Sequence, residues 1–165
     1  MYTIRIATLA DCPLIHDMAW KTFPQTYKNL ITPEQNDFMM EWMYSLPNLK
    51  KQMADEGHVY QLAYHDTRPV GYVSVQQQGD DLFHLQKIYV LPSEQGTGCG
   101  AFLFRTAEAY IKKVHPAPCT VELNVNRGNK AIGFYEHMGM RKVRQGDFSI
   151  GSGFYMTDYI MEKEI

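Results

Sequence analysis

The chain has 165 residues, the size of one domain, and its 45% hydrophobic and 13% aromatic residues exclude an intrinsically disordered protein. Acidic and basic residues are interspersed and the formal net charge is −2, so we expect neither nucleic acid nor a membrane as a partner. The sequence has no signal-peptide pattern and no apolar run of roughly 20 residues, so we expect a cytoplasmic protein. Its three cysteines are scattered and form no CxxC motif, so we expect reduced thiols and no metal site.

The first third of the sequence predicts one strand and three helices. Alternation over Tyr2–Ala7 is typical of a short strand. Asp11 is placed to cap a helix, which we expect to end near Pro24 because proline interrupts helical hydrogen bonding. The stretch Thr32-Pro33-Glu34 predicts the start of a second helix, with an N-cap residue, a proline at the first helical position and an acid in the first turn. A third, shorter helix follows Pro47.

The middle of the sequence changes to strands. Val59–Tyr64, Val70–Gln76 and Leu82–Leu91 are separated by turn residues, which predicts a three-stranded antiparallel meander. A helix from about Gly98 to His115 follows, with an apolar stripe along one side. The next segment, Cys119–Val125, alternates apolar and polar residues and is predicted to be a strand.

The end of the sequence completes one mixed sheet. Asn129–Met138 predicts a further helix, and two strands follow near Arg141–Ile150 and Phe154–Glu162. Only the strand–helix–strand unit around residues 98–115 requires a parallel crossover, because antiparallel neighbours can be joined by short turns. We therefore predict a single domain, residues 1–165, of mixed α/β (α+β) class, with helices on both faces of the sheet.

The segment Gln95–Gly100 is rich in glycine and opens a helix. Glycines let the backbone approach an anion, and the first N–H groups of a helix add donors and a positive dipole end, so a diphosphate is the expected ligand. A turn that binds nothing is the alternative. A Walker loop is excluded because Ala101-Phe102 follows the last glycine instead of Lys-Ser or Lys-Thr. A dinucleotide-binding turn is disfavoured because residues 92–95 separate the strand from the first glycine.

Two separated motifs resemble those of the GNAT superfamily of N-acetyltransferases. Gln95, Gly98 and Gly100 match Q/R-x-x-G-x-G/A after a strand, and Asn129–Met140 matches N-x-x-A-x-x-F-Y-x-x-x-G-F/M. The resemblance implies a GNAT-like fold along nearly the whole chain. In that fold a bulged strand separates from its neighbour and leaves a V-shaped slot for acetyl-coenzyme A.

The resemblance also implies which residues bind acetyl-coenzyme A. Backbone groups of Ile88, Tyr89 and Val90 would pair with the pantetheine arm as an added strand does. The diphosphate would lie on backbone N–H groups of a six-residue loop, namely Gln95, Gly96, Thr97, Gly98, Cys99 and Gly100. Asn129 would contact the coenzyme arm, and Tyr135 would lie near the thioester sulfur.

Acetyl transfer to an amine needs a base for the amine, a donor for the thioester carbonyl and an acid for the leaving thiolate. By resemblance, Tyr135 is the expected acid, with a role as a core aromatic as its alternative. The backbone N–H of Val90 is the expected carbonyl donor. Two residues are open as the base, His84 on the strand before the loop and Glu122 on the next strand, and each has a structural role as its alternative.

The acceptor is less specified than the donor. Glu34, Asp37 and Glu41 are spaced to share one helix face, which suits a polyamine but is also typical of a solvated surface. Aromatic and methionine-rich segments, including Phe154–Met156, loosely resemble bacterial spermidine/spermine-type acetyltransferases. We therefore expect direct transfer to a polyamine or another small-molecule amine. The alternative acceptor is a protein N-terminus or a lysine side chain. The alternative function is that of a non-catalytic regulator that binds acyl-coenzyme A. The oligomeric state is open, with a homodimer as one possibility.

Overall fold

The computed structural model describes residues 1–165, which form a seven-stranded sheet and five α-helices. The strands are β1 (Tyr2–Ile6), β2 (His58–His65), β3 (Arg68–Gly79), β4 (Leu82–Val90), β5 (Thr120–Asn126), β6 (Arg141–Gly151) and β7 (Phe154–Glu164). The helices are α1 (Cys12–Tyr27), α2 (Pro33–Tyr44), α3 (Leu46–Ala54), α4 (Cys99–Val114) and α5 (Ile132–His137). No helix has the length and apolar character that crossing a membrane requires.

The strand order in space is β1-β2-β3-β4-β5-β7-β6. Strands β4 and β5 are the one parallel pair, and α4 makes the crossover between them. All other neighbours are antiparallel. The predicted mixed sheet with a meander and a single parallel crossover is therefore confirmed.

Helix α1 differs from its prediction at both ends. It continues through Pro24 to Tyr27, because the final turn buries Tyr27 against Phe23 with ring centroids 4.5 Å apart, and this apolar contact offsets the hydrogen bond that proline removes. Asp11 precedes the helix, but its carboxylate makes no capping bond. It accepts hydrogen bonds from the Arg5 guanidinium instead, at 2.8 and 3.0 Å.

Helix α2 begins as its sequence predicts. Thr32 is the N-cap residue, and its hydroxyl oxygen accepts a hydrogen bond from the backbone N–H of Gln35 at 3.1 Å. Pro33 occupies the first helical position, where its missing N–H has no partner to lose. This start fixes the direction of the helix across one face of the sheet.

Each face of the sheet has its own apolar core. One core lies under α4 and α5 and includes Leu103, Phe104 and Val121, all at most 1% exposed. The other lies under α1, α2 and α3 and includes Phe23 and Tyr44. Helices on both faces, as predicted, follow from the need to bury both sides of a central sheet.

Strands β4 and β5 separate after a short paired stretch. Their register covers only three pairs, the last of which is His84 with Glu122. On its other side, β4 pairs with β3 in a register that shifts where Lys87 faces Ser74 and Leu85 faces Val75, so Gln86 is an extra residue in β4. Such a bulge bends a strand, and here it accompanies the divergence of β4 from β5. The result is a V-shaped opening in the middle of the sheet.

Candidate active site

The V-shaped opening forms a cleft of about 450 Å³. One wall is residues 85–90 of β4, and the other is residues 123–125 of β5 together with residues 128–131 and Tyr135. The end of α1 and the loop after it close one side with residues 22, 25–27, 29 and 30, and Gln95 closes the mouth. The structure therefore brings Ile88, Tyr89, Val90, Gln95, Asn129 and Tyr135 together around one cavity.

The glycine loop is shaped by residues with left-handed backbone. Gly96 has a φ of 79° and Gly98 a φ of 91°, and no atom lies within 4 Å of where a Cβ would be at either position. The N–H groups of Gly96, Thr97 and Gly98 have no acceptor within the chain. Helix α4 adds the free donors of its first turn, because its first hydrogen bond runs from the N–H of Phe102 to the carbonyl of Gly98. An open, donor-rich loop of this kind fits a diphosphate.

The side chain of Cys99 does not take part in this loop surface. It is fully buried in the core under α4, and burial raises the pKa of its thiol to about 11. Cys12 and Cys119 are buried as well, and none of the three cysteines lines the cleft. Cys99 is therefore available to a ligand only through its backbone.

A buried carboxylate beneath the glycine loop holds it in position. Glu94 is 5% exposed, and its carboxylate accepts hydrogen bonds from Tyr2 at 2.9 Å, His65 at 3.0 Å and Arg68 at 3.3 Å, one residue from each of β1, β2 and β3. The hydroxyl of Thr97 donates to the main-chain carbonyl of Glu94 at 2.5 Å. The hydrogen bond from His65 keeps the pKa of Glu94 below its usual value. These contacts connect the loop rigidly to three strands.

Tyr135 projects from α5 onto the cleft wall. Its side chain is 8% exposed, and burial raises the pKa of its hydroxyl, so the hydroxyl stays protonated and available as a donor at neutral pH. The same shift makes it a weaker acid than an exposed tyrosine. Asn129 lies in the turn before α5 and lines the cleft, and its side-chain carbonyl oxygen accepts from the N–H of Ala131 at 2.8 Å.

Sequence reasoning did not find Tyr27 as a cleft residue. It lies at the end of α1, is 7% exposed, and lines both the main cleft and a smaller neighbouring cavity of about 170 Å³. Tyr89 and Asn129 surround its hydroxyl, and burial raises its pKa. The expectation that the helix stops near Pro24 concealed this position, because Tyr27 then fell in a loop.

His84 and Glu122 lie together where β4 and β5 begin to separate. Nδ1 of His84 is 3.1 Å from Oε1 of Glu122, and Arg144 is 3.8 Å from the second carboxylate oxygen. Both side chains are largely buried, at 12% and 14% exposure, and neither lines the cleft. The two residues treated as separate candidates for the base thus form one hydrogen-bonded pair at the apex of the V.

The charges of the cleft are few. Lys87 and Lys130 are the charged residues on its lining, which contains no carboxylate. The acidic residues Glu34 and Glu41 of α2 are exposed and line neither cavity, whereas Asp37 lines the smaller one beside Tyr27. The acidic face of α2 therefore does not line the main cleft.

Comparison with known proteins agrees with this geometry. Residues 28–163 match the family model of the acetyltransferase (GNAT) domain. An uncharacterised N-acetyltransferase of Mycobacterium bovis is 27% identical over 158 residues, which cover 95% of this chain and 99% of that protein.

Solved structures share the fold over nearly the whole chain. The PaiA N-acetyltransferase of Thermoplasma acidophilum, in complex with coenzyme A, has a TM-score of 0.82 at 20% identity and covers 100% of this chain and 99% of its own. The ribosomal-protein-S18-alanine N-acetyltransferase of Escherichia coli has a TM-score of 0.74 at 18% identity, covering 100% and 94%. A mutant of the spermidine N-acetyltransferase SpeG of Vibrio cholerae has a TM-score of 0.69 at 20% identity, covering 99% and 93%.

Proposed function

Because its sequence matches the family model from residue 28 to residue 163, this chain belongs to the GNAT acetyltransferase family, and we propose that it acetylates a small primary amine, with a polyamine as the first candidate. The observation that carries the proposal is that the unpaired edge of β4 lines a cleft whose mouth is closed by Gln95, the first residue of the donor-rich loop. Acetyl-coenzyme A supplies the acetyl thioester.

The chain holds the coenzyme mainly through its backbone. The N–H groups of the loop and of the first turn of α4 bind the diphosphate, and the fit is supported by the open space at Gly96 and Gly98. The edge of β4 at residues 88–90 is unpaired toward β5, and it binds the pantetheine amides as an added strand would. The amide of Asn129 supplies a side-chain contact.

The acetyl group passes directly to the amine within a ternary complex. Two observations support direct attack. No cysteine or serine lines the cleft, and the hydroxyls of Thr22 and Thr26 donate to main-chain carbonyls of their own helix at 2.9 Å. A covalent acyl-enzyme needs an activated nucleophile, and the one amine of the lining with a lowered pKa, Lys87, has its Nζ bound to Gln52, Tyr60 and the carbonyl of Met43.

Three groups of the chain serve the chemical step. The backbone N–H of Val90 donates to the thioester carbonyl oxygen as it gains charge. The hydroxyl of Tyr135 donates to the leaving sulfur. The His84–Glu122 pair accepts the proton of the amine through water, since neither side chain borders the cleft directly.

A second candidate acceptor is a protein N-terminus or a lysine side chain. The cleft lining offers no carboxylate, so it also fits an acceptor that presents a single amine. The ribosomal-protein-S18-alanine N-acetyltransferase of Escherichia coli shares the fold.

An amine panel tests the proposal. Thiol release from acetyl-coenzyme A is measured with spermidine, spermine, simple alkylamines, free lysine and short peptides, and mass spectrometry identifies the acetylated product. We expect release that depends on the amine, greatest with polyamines. Release with peptides alone would favour the second candidate. If acetyl-coenzyme A raises the melting temperature while no amine accelerates thiol release, the chain is an acyl-coenzyme A-binding regulator instead.

A further inference from the structure

Asp158 is a buried carboxylate with an unsatisfied oxygen. It lies in β7, is 4% exposed, and points to the same face of the sheet as Met156, which belongs to the core under α1 to α3. Its Oδ1 is fully buried and has no hydrogen-bond partner. Leaving a carboxylate oxygen in this state is costly, so Asp158 is a burden on stability that a functional role would explain.

Asn124 lies between Asp158 and the cleft. It is an exposed residue of β5, lines the cleft, and its Nδ2 donates to Oδ2 of Asp158 at 3.3 Å. A carboxylate accepts hydrogen bonds only, so this contact fixes the orientation of the amide. The Oδ1 of Asn124 is therefore presented as an acceptor without a partner in the chain.

Arg127, the cation near Asp158, makes no direct ion pair with its carboxylate. Arg127 donates to the main-chain carbonyls of Gly146 at 3.0 Å and Asp158 at 3.4 Å, and to the carboxylate of Asp147 at 2.8 Å. Tyr27 faces Asp158 from α1, and the residue opposite it in β6 is Gly146, which has no side chain. Burial raises the pKa of Asp158, and this rise is limited by Asn124 and Arg127.

We propose that Asn124 and Asp158 together bind the ammonium group of the acceptor: the free Oδ1 of Asn124 accepts one of its N–H bonds, and the negative charge of Asp158 behind it attracts the ammonium. This inference rests on the proposed acetyl transfer to an amine. The site would therefore bind a primary ammonium in preference to an uncharged nucleophile. Asn124 contacts the acceptor, and Asp158 contributes its charge and orients Asn124.

Asp158→Asn and Asn124→Ala test this assignment. With an alkylamine identified in the panel, each variant should raise the KM for the amine at least 10-fold, because hydrogen bonds to a charged group are stronger than neutral ones. The Kd for acetyl-coenzyme A should stay within 2-fold of wild type. With hydroxylamine, which is uncharged at the same pH, kcat/KM should change less than 3-fold.

Asp147→Asn is the matched control, because Asp147 binds the same arginine from the exposed strand β6 and should leave all constants unchanged. Equal losses with the alkylamine and hydroxylamine, or an unchanged KM for the alkylamine in Asn124→Ala, would overturn the inference. Should Asp158→Asn fail to fold, Asn124→Ala decides alone. Wild-type protein that acetylates no amine contradicts the proposed function instead.

Discussion

Tyr135 is a single side chain whose role can be isolated, because it lines the cleft and also packs in the core under α4 and α5. Tyr135→Phe removes only the hydroxyl. We expect kcat to fall about 100-fold, as is usual on loss of a proton donor, with the KM for acetyl-coenzyme A nearly unchanged. Steady-state kinetics measure both constants, and Tyr110→Phe, outside the cleft, is the control. Full turnover in Tyr135→Phe would remove the proposed donor role.

At the scale of an element, the glycine loop depends on the carboxylate beneath it. Glu94→Gln replaces one acceptor oxygen with an amide NH₂ and removes the negative charge: at Oε1 the amide would face the N–H donors of His65 and Arg68, and at Oε2 it would remove the acceptor of the Tyr2 hydroxyl. We expect the loop to lose its fixed position and the Kd for acetyl-coenzyme A to rise about 10-fold, while kcat at saturation changes little.

Isothermal titration calorimetry measures this Kd. Glu108→Gln is the matched control, because Glu108 lies on α4 and pairs with Lys163 at 2.7 Å away from the loop. An unchanged Kd in Glu94→Gln would show that the loop holds its shape without the carboxylate.

At the scale of the whole molecule, Lys87 couples stability to pH. Lys87 lies in β4 next to the bulge at Gln86. Its ammonium contacts Gln52 of α3 at 2.9 Å and Tyr60 of β2 at 2.5 Å, and none of its hydrogen bonds goes to a carboxylate. Burial lowers its pKa from 10.5 to about 7. Between these values the unfolded chain binds more protons than the folded one, so this group makes the free energy of unfolding rise with pH.

Lys87→Met should therefore be more stable than wild type at pH 7, and the difference should shrink as the pH approaches 10. The pH slope attributable to one such group is at most about 1.4 kcal/mol per unit. Urea unfolding of both proteins from pH 7 to pH 10 measures it, with the exposed Lys50→Met as control. Parallel curves for wild type and Lys87→Met would contradict a lowered pKa.

Local patterns in the sequence were enough for most of the fold. Three features show this: the N-cap at Thr32, the alternation of apolar and polar residues in β5, and the glycines of the loop. Each acts over a few residues, so its local structure follows from residues that are neighbours in the sequence. The end of α1 was predicted wrongly because the packing of Tyr27 against Phe23 is a tertiary contact. Helix boundaries depend on such contacts more than helix existence does.

The sequence by itself determined the proposed coenzyme side of the cleft, because backbone donors, glycine conformations and the motif at Asn129–Met140 are local features with recognisable spacing. Only the tertiary structure decided the proposed acceptor side. The pairing of His84 with Glu122 and the contact between Asn124 and Asp158 join residues 38 and 34 positions apart. Such contacts form when distant strands become neighbours, and no short-range pattern encodes them.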